Sequence, residues 1–368
     1  MIKKRIRRIQ KQLAEKKTDG IVVTNAKNIF YLSGFSGLVP EDRESILFVA
    51  QKRAFLFVPR MYADRAKKCL GVRTRSVRCG VDEKCHGLWT LFGKQTKKNE
   101  RILYEGNDIR AAELARMKKK VKSKLIGTQS LIEDLRAVKD ETEIAALRKV
   151  AKITDKVFVC LVAFLQKGKY QDFSEKGLGQ KLLEWGRAFG ADDFAFAPIV
   201  AVGKGAAEPH YFTSDRRLQK GKALLVDFGY VLSGYNSDMT RTLFLGKAPE
   251  NFKKSYSLVQ QTNEECISLC KDGVAAEDLH NHAVEKFHEK GVEKNFLHRI
   301  GHGLGLDVHE KPSVGTGSET ILKNGMVITI EPGLYFSGKF GIRIEDDVVV
   351  KKNGCDVLTK STKELIEI

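Results

Sequence analysis

Asp227, Asp238, His302, Glu331 and Glu345 are the residues of this 368-residue chain whose types and settings suit them to chemistry. Asp227 lies in the apolar run Leu224-Leu225-Val226-Asp227-Phe228-Gly229, and Asp238 in Tyr235-Asn236-Ser237-Asp238-Met239-Thr240-Arg241-Thr242. The two stretches read as strands joined by a loop carrying Gly229, Ser233 and Gly234. A lone ionised carboxylate is costly to bury in such a place. His302, Glu331 and Glu345 sit in equally apolar or glycine-rich settings. Four carboxylates and one imidazole converging in a core are tolerable if cations hold them together, and four negative charges match two divalent ions. The chemistry this predicts is that of a dinuclear metallohydrolase.

The elements that must position these residues follow from periodicity. Residues 3–17 read as a basic amphipathic helix with Ile6, Ile9 and Leu13 at helical spacing. A strand follows at 21–23, then a loop from Asn25 to Gly37, a hairpin of 45–49 with 54–58, a helix from Asp64 to Leu70, a strand at 101–105 and a helix over 109–120. These make a small mixed α/β domain, and the composition changes near residue 128. Beyond it the pattern predicts a helix over 131–150 broken near Lys139-Asp140, then helices over 152–165 and 174–186. Strands at 194–202, 224–230 and 239–245, helices at 251–271 and 277–290, and strands at 326–336 and 342–350 complete the chain. The later half holds an echo: each of two hairpins carries two acids, and each follows a pair of helices. Two halves facing each other across one site would produce a pseudo-twofold.

Composition narrows the class. The length suits two domains, and no apolar run approaches the ~20 residues of a membrane span. The basic N-terminus has no apolar core behind it, so it is not a secretory signal. Seven scattered cysteines suit a reduced, cytoplasmic protein better than a disulfide framework. The net charge of +18 resides in the first third, where residues 1–130 hold 31 Lys and Arg against 12 Asp and Glu. No recognisable nucleic-acid module accompanies that charge, so a solvated basic surface is the expectation.

Five segments now resemble a known family: VDFG at 226–229, YNSDMTRT at 235–242, HRIGHGLGLDVHE at 298–310, ITIEPGLY at 328–335 and GIRIED at 341–346. NIFYLSGFSG at 28–37 and LRAVKDETEI at 135–144 add an N-terminal domain and a junction. The chain resembles the pita-bread metallopeptidases, in the Xaa-Pro aminopeptidase and prolidase branch, over nearly its whole length. The resemblance implies an α/β (α+β) protein with a creatinase/prolidase-like domain over 1–128 and a pita-bread catalytic domain over 129–368. It places Asp227 on one metal, His302 and Glu331 on the second, and Asp238 and Glu345 bridging both. The oxygen-rich donor set favours manganese over the sulfur- and nitrogen-rich ligation of structural zinc, with cobalt, iron or zinc able to enter.

The implied activity is hydrolysis of the Xaa-Pro bond at peptide N-termini by a hydroxide bridging two metals. Glu331 would shuttle the proton, His309 steady the oxyanion and His210 hold the leaving side. His298 matches a further pocket histidine, Arg343 is a support for the ligands or a clamp for a substrate carboxylate, and Tyr335 orients its neighbours. The expected substrates are peptides with proline second, and the expected assembly is a homodimer. The alternatives are an Xaa-Pro dipeptidase and, from another class, a metal-free peptide- or nucleic-acid-binding module on the same fold. His280, His282 and His288 read as exposed residues of a charged helix. Cys266 and Cys270 lack the second pair a zinc site needs, and no nucleophile elbow is present. Short DNA or RNA titrated at physiological salt should show no saturable binding by anisotropy; tight, sequence-dependent binding would reverse this reading of the basic first third.

Overall fold

The computed structural model describes residues 1–37, 39, 42–69, 73–77 and 86–368. Leu70, Cys79 and Cys85 lie outside the described residues. The chain divides into two compact units, Met1–Arg136 and Ala137–Ile368, where the sequence places its change of character near residue 128.

The first unit contains α1 (Ile2–Glu15), β1 (Gly20–Val23), α2 (Ala26–Ser33), β2 (Ile46–Ala50), β3 (Arg53–Pro59), α3 (Ala63–Lys67), β4 (Arg73–Val77), α4 (His86–Gly93), β5 (Arg101–Glu105), α5 (Ala111–Lys120) and β6 (Lys124–Thr128). Its strands form one mixed sheet in the order β4-β3-β2-β1-β5-β6. Ile6, Ile9 and Leu13 are buried on one face of α1, while Lys3, Lys4, Arg7 and Arg8 face solvent. The segment from Asn25 to Gly37 is not the expected loop, because it contains α2. The Asn25 side chain caps that helix by accepting the Asn28 N–H at 3.0 Å, and Gly34 ends it at φ 75°.

A short helix, α6 (Glu133–Ala137), lies at the division. Beyond it come α7 (Glu141–Gln166), α8 (Glu175–Ala188), β7 (Asp193–Phe194), β8 (Ile199–Val202), β9 (Lys222–Phe228), β10 (Tyr230–Leu232), β11 (Tyr235–Asn236) and β12 (Met239–Leu245). The second half of the unit adds α9 (Glu250–Leu269), α10 (Ala276–His288), β13 (Gly301–Gly303), β14 (Glu310–Val314), β15 (Val327–Ile330), β16 (Gly333–Phe336), β17 (Phe340–Arg343), β18 (Asp346–Lys351) and β19 (Gly354–Val357). The two helices expected over 131–150 and 152–165 are in fact α6 and one long α7. Asp140 caps α7 with its carboxylate on the Thr142 and Glu143 N–H groups, and Glu143 reaches back to the Asp140 N–H. No glycine or proline then interrupts the stripe from Ile144 to Leu165.

Each half of this unit packs a helix pair on one sheet face. Leu224, Val226 and Phe228 of β9 and Met239, Leu243 and Leu245 of β12 join a core with Val157 and Leu161 of α7 and Leu178 and Leu182 of α8. Ile328 and Ile330 of β15, with Ile342 and Ile344, do the same with Phe252, Tyr256 and Val259 of α9 and Leu279 of α10. A period of two then sends Asp227, Thr240 and Thr242, and on the other half Glu331, Arg343 and Glu345, to the opposite face. The strands expected at 326–336 and 342–350 are each broken, with Glu331-Pro332 between β15 and β16 and Ile344-Glu345 between β17 and β18. Proline has no N–H for a ladder, so the chain must leave it there. Both glutamates therefore sit in gaps between strands. Among the described residues no helix is long and apolar enough to cross a membrane.

Gly229 makes the first hairpin possible, since a Cβ there would run into the Ser237 carbonyl oxygen. Gly229→Ala should cost at least about 2 kcal/mol, as backbone overpacking does, and lower the urea midpoint. An unchanged midpoint would contradict this close approach.

Candidate metal centre

The four acids and the histidine converge. Asp227, Asp238, His302, Glu331 and Glu345 line one cleft of about 430 Å³, together with His210, His298, His309 and Arg343. Asp227 comes from β9, Asp238 from the turn into β12, His302 from β13, and the two glutamates from the strand gaps. Donor atoms of Asp238, His302 and Glu345 lie within 4.8 Å of one another. His302 Nε2 is 3.4 Å from Glu331 Oε1 and 3.8 Å from Asp238 Oδ2. Thr240 Oγ1 donates to Glu345 Oε2 at 2.7 Å, and the Asp238 N–H donates to Asp347 at 3.1 Å.

The tautomer of His302 carries the argument for a cation. Its Nδ1 faces the Gly303 carbonyl oxygen at 3.2 Å, which can only accept, so Nδ1 bears the hydrogen. Burial, reinforced by His309, presses the imidazole down to about 3, so the ring is neutral. Nε2 then offers a bare lone pair towards two carboxylates. Acceptors facing acceptors repel, and a cation between them turns each into a ligand. Asp227 Oδ1 and Asp238 Oδ1 are also buried without hydrogen-bond partners. Burial pushes Glu331 up to about 7, and it raises Asp238 and Glu345 well above their usual range with help from the neighbouring acids. These donors fit divalent metal ions.

The supporting residues are bound to one another. Arg343 Nη2 meets Asp227 Oδ2 at 2.5 Å, Nη1 donates to Tyr335 Oη at 2.7 Å and to the Pro209 carbonyl at 3.2 Å, and Nε donates to Thr240 Oγ1 at 2.9 Å. Burial alone would lower this guanidinium's pKa, but Tyr335, Asp227 and the glutamates raise it well above its usual value. Arg343 is thus a support for Asp227, and the alternative of a substrate clamp is not favoured because its donors are engaged. Tyr335 lies behind the cleft, where its hydroxyl also meets His298 Nε2 at 2.8 Å. Burial holds His298 down to about 3. His309 packs its ring 4.1 Å from that of His302, and both it and His210 are exposed at the cleft.

Two positions depart from the sequence reading. His280 is buried, not solvent-exposed, because it falls in the inward stripe of α10 against Phe296, with ring centroids 5.4 Å apart. His282 is half-buried beside Glu265 at 2.9 Å, and His288 is exposed. Arg299, which sequence reasoning passed over, lines the cleft as an exposed cation, and its Nη1 donates to Ser313 Oγ at 3.5 Å. Its place between His298 and Ile300, inside the histidine motif, was the available signal.

Comparison with known proteins assigns the chain to a family. Residues 145–352 match the model of metallopeptidase family M24, and residues 5–138 match the creatinase/prolidase N-terminal domain. The chain belongs to metallopeptidase family M24. It is 30% identical to the Xaa-Pro dipeptidase of Pyrococcus horikoshii over 367 residues, covering 100% of this chain and 99% of that one. The structure of an Xaa-Pro dipeptidase from Bacillus anthracis superposes with a TM-score of 0.92 at 30% identity, covering all of both chains. That of an X-Pro aminopeptidase from Thermotoga maritima gives 0.85 at 30% identity, covering 96% and 99%. The pita-bread architecture expected from the sequence is the one found.

The raised carboxylates set a pH signature. Without cations the folded protein holds protons on these acids that the unfolded chain releases, so its stability should fall as pH rises from near 4.5 through about 7 for Glu331. Manganese should remove that penalty and raise Tm more at pH 8 than at pH 5. Equal shifts at both pH values would contradict this picture.

Proposed function

We propose that this chain is an Xaa-Pro dipeptidase working with two divalent ions, manganese first among them. The observation that carries the metal reading is the neutral His302 presenting a lone pair to Glu331 and Asp238. The names of the relatives support the dipeptidase over the aminopeptidase that the sequence first suggests. A cleft cation supports it as well. A dipeptide carries a free carboxylate one residue beyond the scissile bond, and Arg299 is an exposed guanidinium lining the cleft. The aminopeptidase of Thermotoga maritima keeps the second reading open to test.

Asp227, Asp238, His302, Glu331 and Glu345 would hold the ions. When bound, the ions supply Lewis acidity and a water that ionises near neutral pH. Glu331, whose Oε1 lies 3.4 Å from His302 Nε2 in the cleft, is suited to take the attacking water's proton on a carboxylate oxygen and give it to the leaving imino nitrogen. His309, which lines the cleft, would donate to the developing oxyanion, and His210, also at the cleft, would bind on the leaving side. Phe196, Ile199 and Val308 offer apolar surface for the proline ring. Arg343 and Tyr335 keep Asp227 and His298 oriented.

A matched pair of substrates tests this, an Xaa-Pro dipeptide against an Xaa-Pro-Yaa-Zaa tetrapeptide, compared by kcat/KM. The dipeptide should be strongly preferred, and Arg299→Ala should erase the preference mainly through KM. Preference for the tetrapeptide would make the chain an aminopeptidase. Glu345→Gln keeps the shape but removes charge, and turnover should fall by at least about 10²-fold; wild-type turnover would remove Glu345 from the site.

A further inference from the structure

The residues that α9 turns inward are Phe252, Tyr256, Val259, Thr262, Asn263 and Cys266. Asn263 is the carboxamide in an apolar seam, and it is fully buried. Such a group is tolerated only where its donors and acceptor are met. Its Nδ2 donates to the Ile330 carbonyl at 2.9 Å and to the Ile344 carbonyl at 3.2 Å. Lys363 Nζ donates to its Oδ1 at 2.8 Å. These partners fix the orientation of the amide, because a lysine cannot accept and a carbonyl cannot donate.

Those two carbonyls belong to the peptide units that carry the Glu331 and Glu345 nitrogens. The N–H ends of the same units are also tied, Glu331 to the Ile300 carbonyl at 2.8 Å and Glu345 to the Thr240 carbonyl at 3.1 Å. Both glutamates sit in gaps where no regular ladder holds them. We infer that Asn263 is a positioning residue, whose single carboxamide sets the spacing of the two glutamates that the metal reading places around shared cations. The inference rests on that reading for its purpose, and on the hydrogen bonds for its geometry.

The surroundings extend the bracket. Lys363, which orients the amide, also lies 3.0 Å from Asp346 Oδ2, and Asp346 Oδ1 meets Arg241 Nη2 at 2.7 Å. Arg241 donates to the Glu345 carbonyl at 2.5 Å, so the next peptide unit is held as well. The first half of the unit has its own version. Thr154 on α7 meets Ser237 Oγ at 2.7 Å, immediately before Asp238, and the Tyr230 N–H donates to the same oxygen at 3.1 Å. In the second half Asn263 holds main-chain carbonyls directly, and in the first half Thr154 acts through the Ser237 side chain next to Asp238.

Asn263→Leu keeps the branched shape and removes both donors and the acceptor, and Val259→Ala one turn away serves as a control for altered packing. Manganese titrated calorimetrically into each metal-free protein, with Xaa-Pro dipeptide kinetics alongside, gives the first readout. Asn263→Leu should weaken manganese binding by about 10- to 100-fold, the usual effect of losing a ligand's support. Its kcat should recover at saturating metal more than its metal affinity does. Val259→Ala should lower Tm while leaving metal affinity within about twofold, since a valine side chain makes no hydrogen bond to the Glu331 or Glu345 peptide units. Hydrogen exchange of the metal-free proteins gives the second readout, and the Glu331 and Glu345 amides should exchange faster in Asn263→Leu alone. Wild-type metal affinity and exchange in Asn263→Leu, or equal losses in Val259→Ala, would overturn the inference. If wild type itself takes up no manganese, the metal reading fails and the exchange data decide on Asn263. If Asn263→Leu does not fold, Lys363→Met must show the same changes in direction, and its matching wild type in both readouts would overturn the assignment.

Discussion

Buried carboxylates without matching positive charge are the constraint on which the second unit depends. Asp238, Glu345 and Glu331 crowd one another in the cleft, where burial raises the cost of their charge, and His302 turns a lone pair towards two of the acids. Folding alone offers no reason to assemble such a group, because each acid raises the cost of its neighbours. Divalent cations remove the conflict and give the site its chemistry in the same act. A metallopeptidase family membership and a donor set that needs cations are therefore two views of one arrangement.

The chain separates structural charge from functional charge within two consecutive residues. Asp346 is wholly buried, yet its carboxyl is held low despite burial, by Arg241 and Lys363. Glu345, one position earlier, points to the other face and its carboxyl is driven high. The alternation of a strand is enough to deliver one acid to a paired setting and the next to the cleft. Arg343 plays the same part for Asp227, matching part of its charge while leaving Oδ1 free. All three guanidinium nitrogens of Arg343 are hydrogen-bonded, while Asp227 Oδ1 and Asp238 Oδ1, on two residues that line the cleft, are left without partners.

Much of this was legible in the sequence. The five donors stand in motifs whose apolar neighbours demand a burial the acids would otherwise refuse, and the helix pairs before each hairpin foretold the two halves. The residues that sequence reasoning missed act through the backbone or across long separations. Asn263 looks like any polar residue of a helix until its carbonyl partners, 67 and 81 positions away, are known. Arg343 could be read as a clamp because nothing in the sequence says which of its donors are taken. His280 lies in a stretch rich in charge, and only the turn of α10 decides that it faces Phe296. The α2 helix was hidden because its cap, Asn25, is equally at home in a loop.

The measurement that bears most directly on the central claim is the number of divalent ions held by each chain, counted by elemental analysis after dialysis against manganese, with hydrolysis of an Xaa-Pro dipeptide followed on the same samples. The account predicts two ions per chain, no turnover in chelated protein, and recovery as the ions return. Full turnover by protein verified to hold no metal, or full turnover with a single ion, would contradict it.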